Sequence, residues 1–243
     1  MDKTVLLTRP LIAAEQDAFA WQRAGFKMVI APLLKINFIP QTLPDLRDYQ
    51  AVITTSAVAI QALSTLTERR DVLLWCVGQA SATVAKSLGF KKVFTPSLSE
   101  ELPPRPSFGL LTALLQSLNP RNGPIFYAAG AVVHLDLSTS LREHGYIVEK
   151  AVLYETQPEL SSLPKIQSFF EKPVIGGATF YSKRTAMIFK DYVNSQKGFK
   201  IKENCYPLCL SPSIAAIVQP FFSCPSIITS TTEQLIANLK KIL

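Results

Sequence analysis

Ala51-Val-Ile-Thr-Thr-Ser56-Ala-Val-Ala-Ile60 is an apolar run that breaks at Thr55-Ser56 and resumes with helical spacing, and Ala178-Thr-Phe-Tyr-Ser182-Lys-Arg-Thr-Ala-Met187 repeats the phrase. Leu74-Trp-Cys-Val-Gly78-Gln-Ala-Ser81 is echoed by Leu208-Cys-Leu-Ser211-Pro-Ser213-Ile-Ala215, and Val93-Phe-Thr95 by Ile227-Ile-Thr229. The earlier copy continues through Pro124-Ile-Phe-Tyr-Ala-Ala-Gly130, a helical pattern, and Gly145-Tyr-Ile-Val148. The later copy runs out of chain at Leu243. Its missing piece stands at the start: Val5-Leu-Leu-Thr-Arg9-Pro10, a helical pattern, then Gly25-Phe-Lys-Met-Val29. A repeat out of phase with the chain ends predicts one domain built from residues 1–33 and 163–243, with residues 41–150 inserted into it. Residues 34–40 and 151–160, both proline-bounded and partly alternating, are expected to be the crossover linkers, possible strand partners of each other. The cleft between two such domains is the expected place for a ligand.

The apolar runs of four or five residues alternate with helix-period segments, so each half is expected to be an α/β domain with a parallel sheet. In the first helix Leu11, Ala14, Ala18 and Trp21 share a face, with Pro10 in its first turn and Gly25 past its end. Val133, Leu137 and Leu141 repeat this pattern before Gly145, and Leu235, Leu239 and Ile242 follow Thr232-Glu233. Pro96 to Ser107, with four prolines, is expected to be a surface loop.

Hydrophobic residues make up 48% of the 243 and charged residues 18%, enough apolar side chain for two cores. The amino terminus lacks the apolar stretch of a signal peptide, and no run approaches the ~20 residues that span a bilayer. A soluble, cytoplasmic, monomeric protein is expected, with no membrane partner. The net charge of +7 favours anionic partners. The basic residues are dispersed (Arg69-Arg70, Lys91-Lys92, Lys183-Arg184, Lys240-Lys241, and a looser Lys197, Lys200, Lys202 group), which argues against nucleic acid and for an acidic small molecule. Cys76, Cys205, Cys209 and Cys224 lack C-x-x-C spacing and read as reduced, buried strand residues. In an extended strand the side chains of Cys205 and Cys209 lie about 13 Å apart, too far to share a metal ion.

Dinucleotide, phosphate-loop and nucleophile-elbow motifs are missing from the sequence. His134 and His144 are the only histidines, both in one helical stretch, and read as solvent-facing. Without a histidine pair or a carboxylate cluster, no metal site is expected. What recurs is a small polar or glycine turn where each strand meets its helix: Thr8-Arg9, Thr55-Ser56, Gly78 to Ser81, Ala129-Gly130, Tyr181-Ser182, Ser211 to Ser213 and Thr229 to Thr232. In an open parallel sheet these turns line the carboxyl edge, where ligands bind. Free helix N–H groups beside hydroxyls accept carboxylate or phosphate. Taken singly, each turn reads as an ordinary helix cap. Their recurrence on two domains points to a multi-point anion site at Thr8, Arg9, Thr55, Ser56, Gly78, Ser81, Gly130, Ser182 and Ser213.

The order of Leu6-Leu-Thr-Arg-Pro10, Pro32, Ile53-Thr-Thr-Ser56, Val77-Gly78-Gln-Ala-Ser81-Ala82, Gly130…Leu141…Gly145, Val152-Leu-Tyr154-Glu-Thr156 and Phe180-Tyr-Ser182 resembles the uroporphyrinogen-III synthase family. The resemblance implies two similar, flavodoxin-like α/β domains joined by a two-stranded linker. It implies a cofactor-free enzyme that closes hydroxymethylbilane, a bilane bearing eight carboxylates. In the family's reaction the ring A hydroxymethyl group leaves as water, the last ring forms a spiro intermediate and that ring is inverted before closure. The family's linker tyrosine corresponds to Tyr154, the implied donor to the departing hydroxyl. Ser81 stands where the family usually has threonine. Ser211 replaces a usual glycine and Ile214 a usual threonine, so Ser213 is the alternative hydroxyl there. A non-enzymatic two-domain binder of an acidic small molecule would share the fold and charge.

Overall fold

The computed structural model of the chain describes residues 3–96, 106–133, 136–172, 175–196, 199, 201 and 203–243. They divide into two compact units, Met1–Ile36 with Gln157–Leu243, and Asn37–Thr156. The chain begins with β1 (Lys3–Leu7), α1 (Leu11–Arg23), β2 (Lys27–Ile30) and β3 (Leu34–Phe38). There follow β4 (Ala51–Thr54), α2 (Ala57–Leu66), β5 (Leu73–Cys76), α3 (Gln79–Ser87), β6 (Lys92–Phe94) and α4 (Pro106–Ser117). Next come β7 (Ile125–Gly130), α5 (Leu137–Glu143), β8 (Val148–Pro158) and α6 (Leu163–Glu171). The last elements are β9 (Ile175–Phe180), α7 (Lys183–Ser195), β10 (Cys205–Cys209), α8 (Pro212–Val218), β11 (Ile227–Ile228) and α9 (Thr232–Ile242).

One sheet has the order β11-β10-β9-β1-β2 and the other β3-β8-β7-β4-β5-β6. The pairings β2-β1-β9-β10-β11 and β8-β7-β4-β5-β6 are all parallel. Counted along the chain, the first sheet is 2-1-3-4-5, the flavodoxin-type order. The second has the same spatial order entered at β4 instead of at β7. The phase shift in the sequence repeat is therefore a circular permutation of one sheet against the other. β4 corresponds to β9, β5 to β10 and β6 to β11, as the repeated phrases pair them. β3 lies beside β8, and the pair is framed by Ile39 N–H to Leu153 O (2.9 Å) and Glu159 N–H to Leu33 O (3.0 Å).

Strands covered by helices on both faces must be apolar on both. Every residue of β4 is buried, as is every residue of β9 after Ile175. In β1, Leu6 packs with Phe170, Phe180, Phe189 and Phe222, while Val5 and Leu7 pack on the other side with Trp21, Leu208, Leu235 and Leu239. In the second unit Val52, Leu74 and Phe126 face Ile60, Leu63 and Phe90, and Ile53, Trp75 and Tyr127 face Leu110, Leu114 and Leu141. Arg70 of the Arg69-Arg70 pair is structural. Its guanidinium donates to the carbonyls of Ser64, Thr67 and Leu88 at 2.6–3.1 Å and lies over Phe90.

The first helix buries Ala14 and Trp21 and packs Ala18 as its spacing predicts, and Gly25 follows it at φ +89°. Leu11 differs: the first residue of α1, it is 53% exposed. Val133 also differs, lying before α5 rather than in it. Asp136 accepts the Ser138 N–H at 3.0 Å and so sets the helix start. Of the expected proline loop, residues 97–105 lie outside the described residues, and Pro106 already begins α4. Lys197, Lys200, Lys202 and His134 also lie outside them. His144 is exposed at the end of α5, its Nδ1 2.7 Å from the Ser140 carbonyl. Cys76, Cys205 and Cys209 are buried in strands, and burial pushes the thiols of Cys76 and Cys209 up to about 12. Cys224 corrects the expectation, being only partly buried in the loop before β11. Among the described residues no helix is long and apolar enough to cross a membrane, and no group of three His, Cys, Asp or Glu side chains could hold a metal ion.

Candidate functional site

In the second unit the strand order reverses between β7 and β4, so the connections after them leave toward opposite faces and open a crevice at their carboxyl ends. β8 brings Tyr154 to that point, opposite Gly130 across an irregularity in the β7–β8 ladder. The tyrosine ring lies over Gly130: a Cβ there would sit 2.5 Å from the ring's Cζ and 2.8 Å from its hydroxyl oxygen. Gly130, expected to contact ligand, is thus the seat of the Tyr154 ring. The Tyr154 hydroxyl donates to Ser56 Oγ at 2.9 Å. Ser56 is also the N-cap of α2, accepting the Val58 N–H at 3.1 Å. Thr54 Oγ1, fully buried, accepts the Ser56 N–H at 3.2 Å and holds the turn.

Beside this cluster, Thr55 Oγ1 lies 3.4 Å from the Tyr127 hydroxyl. Lys150 sits over the Tyr127 ring and donates to Asp136 Oδ2 at 2.7 Å. Burial pushes Tyr127 above the ordinary tyrosine range. For Asp136, partial burial acts upward, but hydrogen bonds from Lys150 and Ser138 outweigh it and hold the carboxyl below its ordinary value. Tyr127, Asp136 and Lys150 are not among the residues expected from the sequence. Their signal there was faint, a lysine and an aspartate fourteen apart in different elements. A carboxyl lowered by folding contributes stability above its unfolded pKa, lost as pH falls through the folded value. Asp136→Asn keeps a good N-cap but removes the charge. The variant should have a slightly lower Tm near pH 7, and its gap to the parent should close as pH falls below about 4, read by thermal unfolding across pH.

Gly78 precedes α3 without a side-chain cap, and a Cβ on it would meet nothing within 4 Å. Its backbone is extended, so the glycine leaves open space rather than relieving strain. The first N–H groups of α3 therefore face an uncrowded edge. Ser81, in that first turn, is 7% exposed.

The first unit presents the equivalent edge at β1 and β9. Thr8 is fully buried: its hydroxyl donates to the Thr179 carbonyl and its N–H to Thr179 Oγ1 at 3.3 Å. The Thr8 carbonyl accepts the Leu33 N–H at 3.0 Å. This corrects its expected role, because every polar group of Thr8 ties strands together. Arg9 reaches Asp17 at 2.8 Å and lies over the Tyr181 ring. Ser182 caps α7 through the Thr185 N–H at 3.1 Å and meets Thr185 Oγ1 at 2.8 Å. Ser213 is exposed, its hydroxyl 3.1 Å from that of Ser211, whereas Ile214 is buried in the core. The hydroxyls at that turn thus stand one and three residues before Ile214. In the same unit a cavity of about 450 Å³ is lined by Pro10, Leu11, Pro32, Lys35 and Ser161 among others, and none of the site residues expected from the sequence lines it.

The structure brings Tyr154, Ser56 and Gly130 into one cluster, with Thr55 adjoining, and keeps Gly78 and Ser81 on a neighbouring turn of the same sheet edge. Such an arrangement offers hydroxyl donors and backbone amides, suited to carboxylates and to protonating a departing oxygen. The chain resembles the uroporphyrinogen-III synthetase of Helicobacter pylori 26695 at a TM-score of 0.65 and 20% identity, over 100% of both chains. It resembles a mutant uroporphyrinogen III synthase of the extremely thermophilic bacterium Thermus thermophilus at a TM-score of 0.55 and 15% identity, over 99% of this chain and 97% of that one. At these identities the likeness is one of fold. Comparison with curated proteins finds no match. The family model for uroporphyrinogen-III synthase HemD, however, matches residues 16–235, nearly the whole two-unit frame just described. By that match, the chain belongs to the uroporphyrinogen-III synthase family.

Proposed function

We propose that the Tyr154 cluster is the reaction centre for closing hydroxymethylbilane to uroporphyrinogen III. The chain is a hydro-lyase of the uroporphyrinogen-III synthase family, in tetrapyrrole biosynthesis. The observation that supports this centre is the Tyr154 hydroxyl held over Gly130 and bonded to Ser56 at 2.9 Å. A phenol so fixed can supply the proton that the ring A hydroxyl needs as it departs. In the second unit, the backbone amides of the turn from Gly78 to Ser81 and the Thr55 hydroxyl are proposed to bind carboxylates of the bilane. Binding that folds the flexible bilane supplies much of the rate by holding its ends together. We further propose a cytoplasmic, monomeric, cofactor-independent protein, with 1–33 plus 163–243 and 41–150 as domains and 34–40 and 151–160 as linkers. Nothing observed favours a non-enzymatic binder.

The test is turnover. Chelator-treated protein at catalytic concentration should consume many equivalents of hydroxymethylbilane faster than it closes alone. Consumption limited to one equivalent, however tight the binding, would contradict an enzyme. Gly78→Glu should raise KM at least about tenfold while Tm stays near that of the parent, since a Cβ there meets nothing within 4 Å and the added carboxylate repels those of the substrate. An unchanged KM would remove that turn from the site.

A further inference from the structure

We propose that the group facing the departing hydroxyl is Ser56, not Tyr154, and that Tyr154 delivers its proton through Ser56. This inference rests on the activity assigned above. A serine hydroxyl has two lone pairs and one O–H. At Ser56 the Val58 N–H at 3.1 Å and the Tyr154 hydroxyl at 2.9 Å engage the two lone pairs. A phenol is a stronger acid than an alcohol, so the proton of the pair belongs to the tyrosine side. The Ser56 O–H is left pointing away from both partners. The Tyr154 proton, in turn, is directed at Ser56.

Three further features hold this arrangement. Thr54 bonds both the N–H and the carbonyl of Ser56 at 3.2 Å, which fixes the turn. Ser56 stands at the amino end of α2, where helix N–H groups favour the transient negative charge of an alkoxide-like oxygen. Gly130 gives the tyrosine ring its seat, since any Cβ there meets the ring at 2.5 Å. Gly130 is in this sense a positioning residue for the hydroxyl pair.

The step balances. The bond between the methylene carbon and the hydroxyl oxygen breaks, and its electron pair stays with the oxygen. That oxygen takes the Ser56 proton and leaves as water. Ser56 takes the Tyr154 proton, leaving a phenolate and a carbocation stabilised by the pyrrole. When the attacking pyrrole carbon later gives up its proton at closure, the phenolate recovers one. Water is lost overall and both side chains are restored.

Groups that act as one unit lose activity once, not twice. The test is a double-mutant cycle on hydroxymethylbilane turnover with Ser56→Gly, Tyr154→Phe and the pair. Glycine caps a helix nearly as well as serine, so fold loss is not expected. Each single change should lower kcat about 10²-fold with KM within about threefold, and the double variant should be no slower than the worse single. Ser56→Thr, which keeps the hydroxyl and the cap, should stay within about tenfold of the parent. Should Ser56→Gly not fold, Ser56→Asn keeps the cap, carries no acidic proton, and should show the same kcat loss. Losses that multiply to about 10⁴ in the double variant, or full kcat without the serine hydroxyl, would overturn the relay while leaving the activity in place. Parent protein that forms no uroporphyrinogen III would overturn the activity and the relay together.

Discussion

Tyr154→Phe should lower the rate of hydroxymethylbilane closure about 10²-fold, the scale of one general-acid contribution. The substitution keeps the ring on Gly130 and removes only the hydroxyl that donates to Ser56. KM should change little, because the ring's packing against the core is retained. Stability should fall by no more than about 1 kcal/mol, the usual net contribution of one hydrogen bond. Steady-state kinetics and a thermal melt on the same preparation separate the two effects. A Phe variant with parental kcat would take Tyr154 out of the mechanism and leave the family assignment standing.

Gly176→Ala should have the largest effect on stability. Gly176 faces Thr4 in the β1–β9 ladder, and a Cβ on it would lie 1.8 Å from the Thr4 carbonyl oxygen and 2.8 Å from its carbon. These are backbone atoms and cannot rotate away. The ladder between β1 and β9 must open or shift, and with it the bonds that Thr8 makes to Thr179. Loss of several ladder bonds at about 1 kcal/mol each, with disturbed packing of Leu6 and Phe180, places the expected cost at about 4 kcal/mol or more. A drop in Tm well beyond 10 °C, or insoluble protein, is the expected result. A Tm within about 2 °C of the parent would show that the two strands separate more easily than their geometry implies.

The fold was legible because the repeated strand-turn-helix phrases are apolar in a way only helix-covered parallel strands require. Their phase then required a circular permutation, which the two strand orders show. Local detail was less legible. Leu11 has the right spacing for the core, yet as the first residue of its helix it stays exposed. Val133 continues a helical period that the cap at Asp136 interrupts. At the candidate site, Tyr154 and Ser56 each stood out, but their bond joins residues 98 apart and no spacing rule connects them. Thr8 shows the opposite failure. Its turn has the composition of a binding edge, and only the partner strand reveals that its hydroxyl belongs to Thr179. Gly130 read as an amide for a ligand, whereas its missing Cβ makes room for a tyrosine from the neighbouring strand.

The isomer of the product tests the central claim most directly. Unaided, hydroxymethylbilane closes head to tail to the symmetric uroporphyrinogen I, whereas inversion of the last ring gives uroporphyrinogen III. Purified protein should be incubated with hydroxymethylbilane under anaerobic conditions, and the products oxidised to porphyrins and separated by isomer. The expected result is mainly the type III isomer, with its share falling toward that of the unaided reaction as enzyme is diluted. Type I isomer alone, at every enzyme concentration, would contradict the account.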